Sequence, residues 1–169
     1  MANPDTPFGL TPYGKLISKR LFKATTTTTT IMVGDLVTLA TTGLARRCVT
    51  TTGADNVLGV ALTSVKANLA TQDLWVADDP DQLFMIQDDG ASGTPARTNI
   101  GNTAPLILGA GNTTTGRSIM ELDISAAATG TADPMKIVSF VIGPRYSIGK
   151  NARIIVKLQK HYRVGRTAV

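Results

Sequence analysis

From residue 31 onward, apolar positions come in short runs rich in threonine and broken by glycine and asparagine, which is the texture of β structure. The runs predict strands at residues 31–40, 44–50, 57–64, 73–77, 82–87, 118–125, 136–142 and 152–160, with Gly34-Asp35 as a bulge or tight bend in the first. Turn chemistry separates them at residues 41–43, 52–56 and 88–90 and at Gly143-Pro144. Glutamate occurs once, at Glu121, and few windows place apolar residues at the helical period. Eight short strands at this spacing predict a mainly β fold, a single β-sandwich or barrel-like domain with little helix.

Two stretches break the rhythm. Residues 91–112 are rich in Gly, Thr, Asn and Pro and read as a long excursion with one short helix around 102–107. Residues 125–134 are small and polar and read as a surface loop.

The first thirty residues follow a different rule. Pro4, Pro7 and Pro12 punctuate a segment carrying Lys15, Lys19, Arg20 and Lys23, which runs into six threonines at 25–30. Each proline removes a backbone donor and biases the preceding residue toward extended geometry. The apolar residues Phe8, Leu10, Tyr13, Leu16, Ile17, Leu21 and Phe22 are too scattered for a core of their own. Residues 1–30 are therefore expected to form an extended N-terminal arm needing another surface, with 31–169 as a β-rich body. The threonine run is expected to be a strand or strand-like connector between them.

Charge sharpens this picture. The net value of +5 conceals six basic residues against two acids in residues 1–47, and six basic residues with no acid in 150–169. The segment between holds five basic and ten acidic residues, concentrated at Asp73, Asp78, Asp79, Asp81, Asp88 and Asp89. Positive ends and a negative middle predict attraction between copies, or seating of a basic end on an acidic protein surface. The 169 residues suffice for one domain burying roughly 68–70% of its unfolded surface. The single cysteine, Cys48, excludes an intrachain disulfide. No apolar run approaches the ~20 residues of a membrane-spanning helix, and no signal-peptide pattern opens the chain, so a soluble protein made in a host cytoplasm is expected.

Catalytic motifs are weak throughout. The glycines of residues 109–116 are misplaced for a dinucleotide fingerprint, and Gly149-Lys150-Asn151 lacks the Ser or Thr of a phosphate loop. Asp78-Asp79-Pro80-Asp81 lacks the alternating ligands of a calcium hand, so it reads as a solvated turn or a patch for a basic partner. His161 is the sole histidine and sits among cations, which suits a packing residue better than a base. Cys48 reads as a small buried residue. Lys150, Arg153, Lys157, Lys160, Arg163 and Arg166 make a basic C-terminal strand and tail, but aromatics are not interleaved with them as base stacking requires. No catalytic, cofactor-binding or metal-ligating residue is expected, and the chain is not expected to be an enzyme.

Several stretches resemble the decoration, or cement, proteins that lie on the heads of tailed bacteriophages. They are Ala2-Asn3-Pro4-Asp5-Thr6-Pro7-Phe8-Gly9-Leu10, Val33-Gly34-Asp35-Leu36-Val37, Val57-Leu58-Gly59-Val60-Ala61, residues 75–87, Thr115-Gly116-Arg117-Ser118 and residues 151–161. The resemblance implies a β-rich, often oligomeric body on the outer capsid surface of the virion that bridges major capsid protein subunits. On that reading Phe8, Leu10, Tyr13, Leu16, Lys19, Arg20, Leu21, Phe22 and Lys23 contact the partner. Lys157, Lys160, Arg163, Arg166, Asp78, Asp79 and Asp81 are candidate electrostatic contacts. The expected partners are the major capsid protein and other copies of the chain, as a homotrimer by analogy, without membrane and with nucleic acid disfavoured. The alternatives are another virion structural protein, such as a tail-tube or shell subunit, and a basic nucleic-acid-binding β-barrel.

Overall fold

The computed structural model describes residues 3–25, 29–51, 56–68, 71–91, 93–130 and 132–163. Arg166, the centre of the threonine run and most of the 52–56 turn lie outside the described residues. The chain is nearly all β, as its texture predicts. In order, the strands are β1 (Thr11–Pro12), β2 (Arg20–Ala24), β3 (Leu36–Leu39), β4 (Ala45–Arg47), β5 (Val57–Ala61), β6 (Gln72–Ala77) and β7 (Leu83–Gln87). They continue as β8 (Thr103–Ala104), β9 (Leu106–Ile107), β10 (Glu121–Leu122), β11 (Met135–Phe140) and β12 (Arg153–Leu158).

Strands β2-β4-β3-β5-β6 close a barrel, and β1-β7-β12-β11-β8 form a five-stranded sheet. A short ribbon pairs β9 with β10. The barrel is antiparallel except where β2 meets β4 in parallel, at Ala24 and Ala45. Closure leaves these strands without a free ladder edge, which matters for a threonine- and valine-rich chain prone to edge-to-edge association.

Strand β5 explains how the barrel and the sheet share their apolar interior. Its residues Val57-Leu58-Gly59-Val60-Ala61 are all buried. The ladder to β3 pairs Leu36 with Val60, Val37 with Gly59 and Thr38 with Val57, leaving Leu58 as an extra residue. That bulge reverses the alternation of faces. Val57 and Val60 accordingly join a large core with Phe84, Ile86, Met135, Ile137, Ile154 and Val156 of the sheet. Leu58 and Ala61 join the barrel core with Ala24, Ile31, Val37, Leu74 and Val76. Gly59 is required there: with φ +154, a Cβ would stand 2.1 Å from the Ala77 carbonyl oxygen.

Every strand expected after residue 30 has a counterpart, usually shorter than its apolar run. Gly34, at φ +91, makes the predicted bend. The helix expected at 102–107 is corrected to two strands, β8 and β9, flanking the buried Pro105. Proline has no N–H for a ladder or a helix interior, and Thr103 is instead drawn to Lys136 across the sheet. The helical turn observed is a short 3-10 element at Arg97–Asn99, whose entry is fixed by the Ala96 N–H donating to Asn99 Oδ1 at 2.8 Å.

The N-terminal segment is extended, and the surface it lies on is its own chain. β1 adds to the edge of the sheet beside β7, and β2 supplies a stave of the barrel, pairing Arg20–Ala24 with Gln72–Val76. Leu10, expected to anchor a partner, is 1% exposed inside the large core, because its N–H reaches the Gly34 carbonyl at 2.9 Å and draws it in.

Candidate functional site

The N-terminal segment is held by buried polar side chains at the two ends of β7. Gln82 accepts the Ile17 N–H at 2.8 Å on Oε1 and donates through Nε2 to the carbonyls of Tyr13 and Leu83. Gln87 accepts the Thr6 N–H at 3.1 Å and donates to the Pro4 carbonyl at 2.8 Å. Asn3 donates to the carbonyls of Ser147 and Lys150 and accepts the Ser147 N–H. A buried amide must find partners, so glutamines bracketing an apolar strand demand a polar backbone beside it. That backbone is the proline-punctuated segment, which has few partners within itself.

Charge completes the attachment. Asp78 has no solvent exposure, accepts the Ser18 hydroxyl at 3.0 Å, and faces Arg20 at 3.1 Å and Arg163 at 3.8 Å. Lys23 pairs with Asp73, and Lys157 with Asp81. Lys157 holds the Asp81 carboxyl below the usual range through its hydrogen bond and its charge. Four basic residues from the two ends therefore meet acids of the middle within one chain. The attraction expected between copies is, at these residues, satisfied internally.

The remaining candidates divide between core and surface. Phe8 is half-buried beneath the Arg153 guanidinium, 5.2 Å from its ring centroid. Leu16 packs on the large core and Phe22 on the barrel core. Asp79 caps its own turn, accepting the Asp81 N–H at 2.8 Å. Lys160 is half-buried after β12, where its carbonyl accepts the Val57 N–H. Tyr13 and Leu21 face outward, and Ile17 between them is 55% exposed. Leu21 lies directly across the ladder from Trp75, which is itself exposed and carries Lys19 Nζ 5.0 Å above its ring. Trp75 was visible in the sequence only as an apolar strand residue. Its outward direction follows from the register with β2, a strand hidden by its basic composition.

The groups with intrinsic reactivity are committed elsewhere. His161 donates from Nε2 to the Leu58 carbonyl at 3.0 Å and accepts the Arg163 N–H on Nδ1 at 3.2 Å, which fixes the neutral tautomer. Burial pushes its pKa down. Cys48 is fully buried, with its thiol pKa pushed up by burial. Arg47 donates to Asp35 Oδ2 at 2.8 Å and to the Gly109 carbonyl, pinning the glycine-rich stretch to the barrel. A groove of about 410 Å³ of mixed polar and apolar lining runs beside Thr25, Thr29, Thr41, Leu44, Arg46 and Val49 and contains no acid, histidine or thiol among the described residues. No group of three or more His, Cys, Asp or Glu among the described residues is placed to hold a metal ion. Among the described residues, no helix is long and apolar enough to cross a membrane.

No protein-family profile, curated protein or solved structure matches the chain.

Proposed function

We propose that this chain is a structural virion protein, a decoration or cement protein that binds the outer surface of a phage head and stabilises the lattice of major capsid protein. The observation that carries the reading is the Leu21–Trp75 pair, two large apolar side chains 49% and 39% exposed on adjacent barrel strands. Tyr13 and Ile17 extend outward exposure along the same segment, with Lys15 and Lys19 interspersed. Aromatic and aliphatic anchors beside lysines suit a partner with an apolar centre and an acidic rim. The segment is already fastened to the body, so docking it carries little ordering cost. Repeated weak sites on a lattice, and association into a homotrimer, then supply strength through effective concentration.

Nucleic-acid binding is the weaker reading. Arg20, Lys23, Lys157 and Arg163 are engaged by carboxylates, and Lys19 covers a face of the Trp75 ring on which a base would stack.

The test is a Leu21→Ser/Trp75→Ala double variant added to capsids stripped of the protein. Both side chains are exposed, so the folded signal in circular dichroism should persist. Occupancy by cryo-electron microscopy should fall about thirtyfold or more at limiting protein, as loss of a 2 kcal/mol hot spot implies. Undiminished occupancy would sink the assignment of this surface.

A further inference from the structure

Five carboxylates gather where the N-terminal residues cross the end of the sheet. Asp88 and Asp89 follow β7, and Glu121 and Asp123 lie on or beside β10, joined by the bridge between Asp88 and Leu122 and by the Asp89 N–H donating to the Leu122 carbonyl. Asp5 comes from the N-terminal segment itself, between the Pro4 carbonyl and the Thr6 N–H that Gln87 grips.

Three oxygens of this cluster, Asp88 Oδ1, Asp89 Oδ1 and Glu121 Oε1, are shielded from solvent and receive no hydrogen bond. Asp88 is fully buried, its other oxygen accepting the N–H groups of Gly90 and Asn151. Among the described residues, none of the five acids forms an ion pair. The strand facing Glu121 is β9, which contributes Leu106 and Ile107 and no charge. The nearby cations are turned to other partners or outward: Arg153 lies against the rings of Phe8 and Tyr146, and Lys150 is exposed while its carbonyl receives Asn3. Carboxyl oxygens shielded from water and left without a donor or cation favour the protonated acid, even where, as in Asp88, the second oxygen is hydrogen-bonded.

We propose that residues 3–6 form a strap which this carboxyl cluster keeps closed while it holds protons and releases as it ionises. Desolvation raises Glu121 to about 7, with Asp5, Asp89 and Asp88 adding repulsion. Desolvation also raises Asp88 to about 6, with the charges of Asp89 and Asp123 contributing, and pushes Asp89 upward. These values lie above the ordinary carboxyl range, and lifting the strap would admit water and withdraw Asp5 from Glu121, so the closed state is the one that binds more protons. Closure is complete at low pH and weakens as pH rises through the window from about 6 to about 7. Asp5 is the strap residue whose charge acts on Glu121, so ionised Glu121 repels the strap. Only hydrogen bonds from Asn3 and Gln87 then remain.

The experiment is amide exchange on the full chain in the presence of a chelator, each rate normalised to its intrinsic value. The reporters are the Thr6 N–H, held by Gln87, and the Ser147 N–H, held by Asn3. Protection at both should fall about tenfold from pH 5.5 to 8.5, one pKa unit of linkage, while the barrel amides of β3 and β5 stay constant. Glu121→Gln, which keeps shape without the titrating proton, should flatten the dependence to about twofold or less. Asp5→Asn, at an exposed position that leaves packing intact, should do the same. Protection at Thr6 and Ser147 that is independent of pH, or that falls equally in Glu121→Gln, overturns the proposal.

Discussion

Arg20 on β2 stands 3.1 Å from the carboxylate of Asp78, a side chain with no exposure to solvent. This contact ties a stave contributed by the first two dozen residues to the acidic middle of the chain. Arg20 itself is half exposed, and Ser18 and Arg163 also serve the carboxylate. Arg20→Ala should therefore lower unfolding free energy by about 1–2 kcal/mol, below the cost of orphaning a buried charge completely. Urea denaturation checks this, and a loss under about 0.3 kcal/mol would mean the pair is ornamental.

Arg47 and Asp35 form the more demanding pair, since Arg47 is 9% and Asp35 0% exposed. One oxygen of Asp35 accepts both Arg47 and the Met32 N–H, and the other has no partner. Arg47→Met should cost about 3–5 kcal/mol, because an uncompensated carboxylate remains in the interior. Adding Asp35→Asn should recover part of that loss. Denaturant midpoints of the single and double variants provide the measurement, and strict additivity would contradict the pairing.

His161 sets a pH dependence opposite in sign to that of the carboxyl cluster. Its folded pKa lies below the ordinary 6.5, so the unfolded chain takes the proton first. The stability this contributes is complete above 6.5 and lost as pH falls through the window beneath it. As the sole histidine, its imidazole signals are unambiguous in NMR, and they should titrate below the ordinary value. A midpoint at or above 6.5 would show that protonated Nδ1 is tolerated against the Arg163 N–H.

How much of this was legible follows from what each residue's signal competes with. Strands β3 to β7 and β10 to β12 announce themselves because their apolar residues are concentrated between turn formers. β2 does not, because Arg20 and Lys23 make it read as a basic arm, although Phe22 and Ala24 face the barrel interior. β1 is two residues long and contains Pro12, admissible only on the sheet edge it occupies. The 102–107 helix was expected from composition, and Pro105 and the register to β11 decided otherwise. Complementary charge between the ends and the middle was visible in sequence. Its closure within one chain depends on distances that only the fold supplies. The carboxyl cluster was equally hidden, because Glu121 and Asp88 are 33 positions apart and become neighbours through the bridge beside β10.

The extra residue at Leu58 carries a further consequence. By turning alternate side chains of one strand into two separate interiors, it makes β5 a common wall, so neither interior has a boundary of its own that can open independently. Fraying the sheet uncovers Val57 and Val60; opening the barrel uncovers Leu58 and Ala61; and either event pulls the same five residues out of register. Two hydrophobic clusters that would otherwise melt at their own temperatures are thereby bound into one cooperative unit.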